Sequence, residues 1–155
     1  MKYKESLSQI ALLKWFKLQY PKLQNLLVGY PAGTYLGLQS AVRMKAMGLR
    51  AGMPDLQLLV PRVYRVKHQP HPEAEPMIEI VFVPGLFIEM KSDTGRVSKV
   101  QKDFHQELKE QNYSVVVAYS CEDAQQEIKK YLMSGASLLN VNSGECARKE
   151  SFFQH

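Results

Sequence analysis

Three short stretches of this sequence hold side chains able to do phosphate chemistry: Pro54-Asp55, Glu89-Met90-Lys91 and Gln101. Strand side chains alternate faces, so Glu89 and Lys91 point one way and Met90 the other. If Asp55 heads a neighbouring strand, its carboxylate meets that of Glu89. Two carboxylates, a backbone carbonyl and waters form a hard-oxygen set suited to Mg²⁺ or Mn²⁺. Such an ion keeps several waters and activates one of them against a phosphodiester. Lys91 adds positive charge where the transition state gathers negative charge, an effect on the order of 3 kcal/mol. The plainer alternative makes Asp55 a turn residue after Pro54, and Glu89 and Lys91 a solvated pair on an exposed strand face. Two details favour a site. Glu89 follows Leu86-Phe87-Ile88 in a strand of interior character, where an unpaired carboxylate is costly. The stretch Gly48-Leu49-Arg50-Ala51-Gly52-Met53-Pro54 also delivers the chain to Asp55 through two glycines, as a close-approach entry requires.

The elements that must position these residues follow from periodicity and punctuation. Leu7, Ile10, Ala11, Leu13 or Lys14, Trp15 and Leu18 recur at helical spacing over 5–19, and Pro21 ends the pattern. A second helix is expected near 38–47, stopped by Gly48. Between them, Gly29-Tyr30-Pro31-Ala32-Gly33 reads as a turn or a close backbone approach. Leu56–Val60 is a short apolar run bounded by Pro54 and Pro61, hence a strand. The proline-rich segment 61–85 contains two β-rich stretches, Val63–Lys67 and Met77–Val83. It reads as an extra hairpin with a flexible tip at 68–76. A strand at Leu86–Lys91, a turn from Gly95, a helix at 99–111 and a Val-rich strand at Ser114–Tyr119 follow. The last is expected to be covered on both faces. Ser120 with Asp123 resembles a capping box for a helix at 121–133. Strand, helix, strand, helix implies a parallel crossover and an α/β core. The expected organisation is one domain over 1–135, including the 61–85 hairpin, and a polar tail over 136–155.

At 155 residues and 17.7 kDa the chain fits one domain that needs no staples. Hydrophobic residues at 45% and charged residues at 23% exclude disorder, collagen and coiled coil. The net charge of +5 suggests an anionic partner. Cys121 and Cys146 cannot build a disulfide framework or a cysteine zinc site, and read as free thiols in a reducing compartment. Residues Met1 to Glu5 lead into an amphipathic stretch, not the apolar core of a signal peptide. The uncharged run 23–42 is broken by Pro31, three glycines and three amides, which excludes a membrane span. A cytoplasmic protein is expected, in a bacterium or a phage-infected cell.

Gly52-Met53-Pro54-Asp55-Leu56, Ile88-Glu89-Met90-Lys91-Ser92 and Gly95-Arg96-Val97-Ser98-Lys99-Val100-Gln101 resemble, in order, the motifs of VRR-NUC nucleases, a branch of the PD-(D/E)xK superfamily. The resemblance runs over roughly 5–133. It implies an α/β fold with a restriction-endonuclease-like core, a central mixed β-sheet flanked by helices in an αβββαβ series. It further implies Asp55 and Glu89 as ligands of Mg²⁺ or Mn²⁺, with the Met90 carbonyl completing the shell, Lys91 as the catalytic lysine and Gln101 as the active-site glutamine. The family also uses a glutamate on its first helix, for which Glu5 is the candidate. Stand-alone relatives of this size are similar to phage-type nucleases that dimerise and act on branched DNA, such as four-way junctions or flaps, in repair or recombination. Two of these assignments have plainer alternatives. Ser98-x-x-Gln101 is a capping box by itself, and Ser6-x-x-Gln9 could begin the first helix and leave Glu5 solvated.

Arg43, Lys45 and Arg50 precede the acidic strands, and Arg96, Lys99 and Lys102 follow them. Such clusters are ordinary solvated faces in most proteins. Flanking a metal site from both sides, they are expected to grip DNA phosphates without reading bases. His68 and His71 lack a third ligand and read as loop histidines. Trp15 and Phe16 lie in a helical stripe and read as core. The expected function is a metal-dependent DNA endonuclease acting as a homodimer. The rivals are an inactive DNA-binding module of the same fold and a nuclease acting on RNA or DNA ends.

Overall fold

The strand bearing Glu89 is buried along its whole length, and the architecture explains why. In the computed structural model, which describes residues 2–30, 38–68, 73, 75 and 77–137, the chain opens with helix α1, Lys2–Gln19, and a 3₁₀ turn at Pro21–Leu23. Strand β1, Leu27–Gly29, helix α2, Leu38–Ala46, and strand β2, Leu56–Leu58, follow. Strands β3, Arg62–His68, and β4, Met77–Val83, form the expected hairpin. Then come β5, Leu86–Met90, α3, Lys99–Glu110, β6, Ser114–Ala118, α4, Cys121–Met133, and β7, Ala136–Ser137.

The central sheet runs β1-β2-β5-β6, with antiparallel β1–β2 and β2–β5 pairs and a parallel β5–β6 pair. Strand β5 therefore has a hydrogen-bonded neighbour on each side, and α1 and α4 pack on it. All five of its residues are buried. The mixed α/β fold is the expected one, with α1, β1, β2, β5, α3 and β6 giving the αβββαβ series. Helix α2 and the β3–β4 hairpin are inserted into it. Leu12 and Phe16 of α1 meet Leu56, Leu58, Leu86, Ile88 and Met90 from the sheet and Ala124, Ile128 and Tyr131 from α4 in one apolar core.

Several local expectations need correction. The buried face of α1 is Leu12 and Phe16, with Leu13 and Trp15 beside them, whereas Leu7, Ile10 and Leu18 are exposed. Apolar residues surround this helix, so spacing alone does not select its core face. Leu27–Gly29 is a strand, although Gly29-Tyr30 resembles the start of a turn. The rest of that segment, 31–33, lies outside the described residues, as do His71, Cys146 and the chain beyond 137. The first two residues of the expected tail, Ala136 and Ser137, pair antiparallel with β3. Strand β6 is only half-buried over Ser114–Val117, because it forms an edge of its sheet even with α3 and α4 packed against it.

Gly48 ends α2 with φ of 100°, a left-handed stop that glycine adopts without strain. Arg62 is buried at the root of the hairpin. Its guanidinium donates to the carbonyls of Leu132, Ser134 and Gly135, satisfying the C-terminal end of α4. Among the described residues no helix is long and apolar enough to cross a membrane.

Candidate active site

Sheet register alone puts Asp55 beside Glu89. Leu56 pairs with Ile88 across β2 and β5, so the residue before Leu56 lies next to the residue after Ile88. Where the ladder ends, the Met90 N–H donates to Asp55 Oδ2 at 2.8 Å. The Asp55 carbonyl accepts from Tyr30 N–H at 2.8 Å and from Gln9 Nε2 at 3.3 Å. The chain reaches this position through Gly52, whose φ is 87°. A Cβ there would stand 2.6 Å from the Val100 carbonyl oxygen, so only glycine lets the lead-in lie against the first turn of α3.

Glu89 is 1% exposed and, among the described residues, has hydrogen-bond partners on one oxygen only. Lys91 Nζ stands 2.6 Å from its Oε1, and Gln101 Nε2 donates to the same atom at 2.5 Å. Glu89 and Lys91 do share a face, as strand alternation predicts, but the pair is buried and not solvated. The Lys91 side chain is 12% exposed, and its own N–H continues the β5–β6 ladder by donating to the Ala118 carbonyl. The Met90 side chain points into the core.

Gln101 fulfils both of the roles that compete for it in the sequence. Its Oε1 accepts the Ser98 N–H and its N–H donates to Ser98 Oγ, a complete capping box at the start of α3. Its Nε2 is then free to reach Glu89. Glu5 is also brought in. Because α1 starts at Lys2, Glu5 lies in the first helical turn, and its Oε1 accepts the Ser92 N–H at 3.0 Å. Ser6-x-x-Gln9 does not begin the helix, since Gln9 lies well inside it and reaches Asp55. Next to Glu5, Lys4 pairs with Asp93 at 2.7 Å on the surface.

Two carboxylates this close in a partly dry place resist ionisation. Burial, and then the charge of Glu89, push Asp55 up to about 6, against the Met90 N–H and Lys91, which favour the anion. Burial likewise raises Glu89, with Lys91 and Gln101 opposing it. The oxygens left over are informative. Glu89 Oε2 is buried with no hydrogen-bond partner among the described residues, and so are Ser92 Oγ and His105 Nε2. A buried carboxylate oxygen without a donor is expensive unless a cation satisfies it. Asp55, Glu89 and the main chain around Met90 offer hard oxygen donors, which fit a divalent ion of the Mg²⁺ or Mn²⁺ kind. No three His, Cys, Asp or Glu side chains already converge as a metal cluster among the described residues.

His105 belongs to the site although no motif marks it. It is 7% exposed, and its Nε2 lies 3.6 Å from Glu89 Oε2. A signal does exist in the spacing: Gln101 and His105 are four residues apart and share the helix face that lies over Glu89. Burial, with Lys109 and Lys91 nearby, lowers the basicity of the His105 ring. Gln9 is a second unexpected member, since its spacing from Ser6 suggests a cap instead.

The six basic candidates are all exposed. Arg43 and Lys45 lie in the last turn of α2, Arg50 in the lead-in, Arg96 in the loop before α3, and Lys99 and Lys102 in the first turn of α3. The approach of Gly52 to Val100 draws the Arg50 segment towards the turn carrying Lys99 and Lys102. His68 ends β3. Cys121 is a free, half-buried thiol that accepts from Gln125 Nε2, and burial makes it less acidic. Phe16 is core, and Trp15 packs against that core.

Comparison with known proteins bears on the family and the fold. No curated protein matches the chain. A solved structure described as a VRR_NUC domain protein is similar at 25% identity with a TM-score of 0.63, over 85% of this chain and 90% of that one. The VRR-NUC domain profile matches residues 3–122, a span that includes Glu5, Asp55, Glu89, Lys91 and Gln101. On that match, the chain belongs to the VRR-NUC family of nucleases.

Proposed function

We propose that this protein is a Mg²⁺- or Mn²⁺-dependent DNA endonuclease selective for branched structures such as four-way junctions or flaps. The observation that carries the reading is the juxtaposition of Asp55 and Glu89 across β2 and β5, with Glu89 Oε2 buried and without a hydrogen-bond partner among the described residues, and Lys91 alongside. Asp55, Glu89 and the Met90 carbonyl would hold the ion. When bound, a divalent ion supplies Lewis-acid polarisation of a phosphoryl oxygen and a more acidic water. The remaining work falls to the chain. Lys91 offers its ammonium to the charge that develops on the phosphoryl oxygens as the water oxygen bonds to phosphorus and the P–O ester bond breaks. Gln101 and Lys91 fix one oxygen of Glu89, leaving the other to face the ion. Glu5 holds the Ser92 amide, and so the loop that leaves the catalytic strand. Arg43, Lys45, Arg50, Arg96, Lys99 and Lys102 grip phosphates on either side, which favours selection by DNA shape over base sequence. Residues 1–135 form the nuclease domain in this reading, and a homodimer places two sites on opposite strands of a junction.

The test is cleavage of four-way junctions, flaps, single strands, plain duplex and RNA, with Mg²⁺, Mn²⁺ or chelator. Metal-dependent cutting that favours branched DNA is expected, and it should vanish in Asp55→Ala and Glu89→Ala while DNA binding persists. Metal-independent cutting, or none on any substrate, overturns the reading. Binding without cutting identifies a DNA-binding module, and preference for RNA or DNA ends replaces the branched-DNA assignment.

A further inference from the structure

Glu89 is held asymmetrically. Oε1 takes Lys91 and Gln101, whereas Oε2 faces a second buried polar atom that likewise has no hydrogen-bond partner among the described residues, His105 Nε2 at 3.6 Å. Gln101 and His105 are one turn apart on α3, so one helix face presents a nitrogen to each oxygen of the same carboxylate. Two buried polar atoms left unsatisfied within 4 Å of each other cost more apart than together. A shift of well under 1 Å brings an imidazole N–H into hydrogen-bond range of Oε2. A carboxylate oxygen has two lone pairs and can accept this N–H while the other faces a cation. From this geometry we infer that His105 is a positioning residue for Glu89: with Gln101 it clamps the carboxylate from both oxygens and sets the direction in which Oε2 meets a divalent cation. The inference rests on the reading of Glu89 as a metal ligand.

It is tested by Mn²⁺ binding to the full chain without nucleic acid, following free Mn²⁺ by electron paramagnetic resonance. His105→Leu removes the donor. His105→Asn keeps a polar group that is too short to reach, and His105→Gln restores an N–H at about the position of Nε2. The expected result is Mn²⁺ affinity weakened about 10- to 100-fold in the Leu and Asn variants and restored to within about threefold in His105→Gln. Melting temperatures of the Gln variant and wild type should agree in chelator. Wild-type affinity in either the Leu or the Asn variant overturns the inference, and so does a folded His105→Gln that stays as weak as the others. If the Leu variant does not fold, the Asn and Gln pair decides. Glu89→Ala separates the two readings. Undiminished Mn²⁺ binding there sinks the metal-ligand assignment itself, whereas loss of binding there with unchanged His105 variants sinks only the positioning role.

Discussion

Gln101 joins two structures with one side chain: its amide oxygen closes the cap on α3 while its amide nitrogen donates to Glu89. The capping geometry fixes where the nitrogen points, so helix start and site geometry are one arrangement. Ser98→Ala removes the Oγ half of the capping box and leaves the bonds of the Gln101 side chain in place. It should cost about 1 kcal/mol of stability and leave cleavage within a fewfold of wild type. Gln101→Ala removes the other half, the bond from the Ser98 N–H to Oε1, together with the bond to Glu89, and should lose about 1 kcal/mol of stability and about 10- to 100-fold in activity. Thermal unfolding and single-turnover cleavage on the two variants check this. Equal activities would show that the Glu89 interaction contributes nothing.

The raised pKa of Asp55 makes the metal-free protein sensitive to pH. The unfolded carboxyl ionises near 3.8 and the folded one near 6. Below both values the group contributes no penalty. As pH rises through this window the unfolded state loses its proton first, so stability falls and then levels off above about pH 6. Asp55→Asn in chelator should therefore melt higher than wild type at pH 7, by an amount on the order of 1–2 kcal/mol, and match it below pH 4. Denaturation at several pH values measures it. With metal limiting, cleavage by the wild type should decline below pH 6 and recover when more metal is added.

Gly52→Ala should be severe for its size. The new Cβ meets the Val100 carbonyl oxygen at 2.6 Å in a left-handed backbone, and neither side can yield without moving Asp55 or α3. A loss of about 2 kcal/mol or more in chemical denaturation is expected, with reduced activity in whatever remains folded. A Gly48→Ala variant, with nothing within 4 Å of its Cβ, is the comparison that isolates backbone strain from collision.

Neutralising Arg50 or Lys99 should reduce the slope of log affinity for DNA against log salt by about 0.9 for each phosphate no longer neutralised. Competition binding at several salt concentrations reads the slope directly. An unchanged slope returns these residues to a solvated face.

Much of the fold and of the site is legible in the chain. Strand alternation puts Glu89 and Lys91 together, the Leu86–Ile88 run puts them in an interior strand, and the glycines of the lead-in mark the close approach at Gly52. The remainder depends on tertiary partners. Strand β1 is three residues long and ends in a glycine, too little for a periodic signal. Helix α1 places apolar residues such as Leu7, Ile10 and Leu18 on its exposed side as well, so its buried face appears only when β5 and α4 arrive. His105 carries no motif, and its value emerges from the direction of one helix face over a carboxylate on another element. The last strand, β7, exists because β3 offers an unpaired edge.

The Ser92 amide and the Glu5 carboxylate it meets are 87 positions apart, and Lys91 is tied to Ala118 through the final strand of the central sheet. Pairings of such long sequence separation form late, after the loops between them have closed. A growing polypeptide therefore lacks these two ties until residue 118 has left the ribosome and α1 has docked. A chain cut short before Ala118 leaves the Lys91 N–H without the carbonyl it donates to.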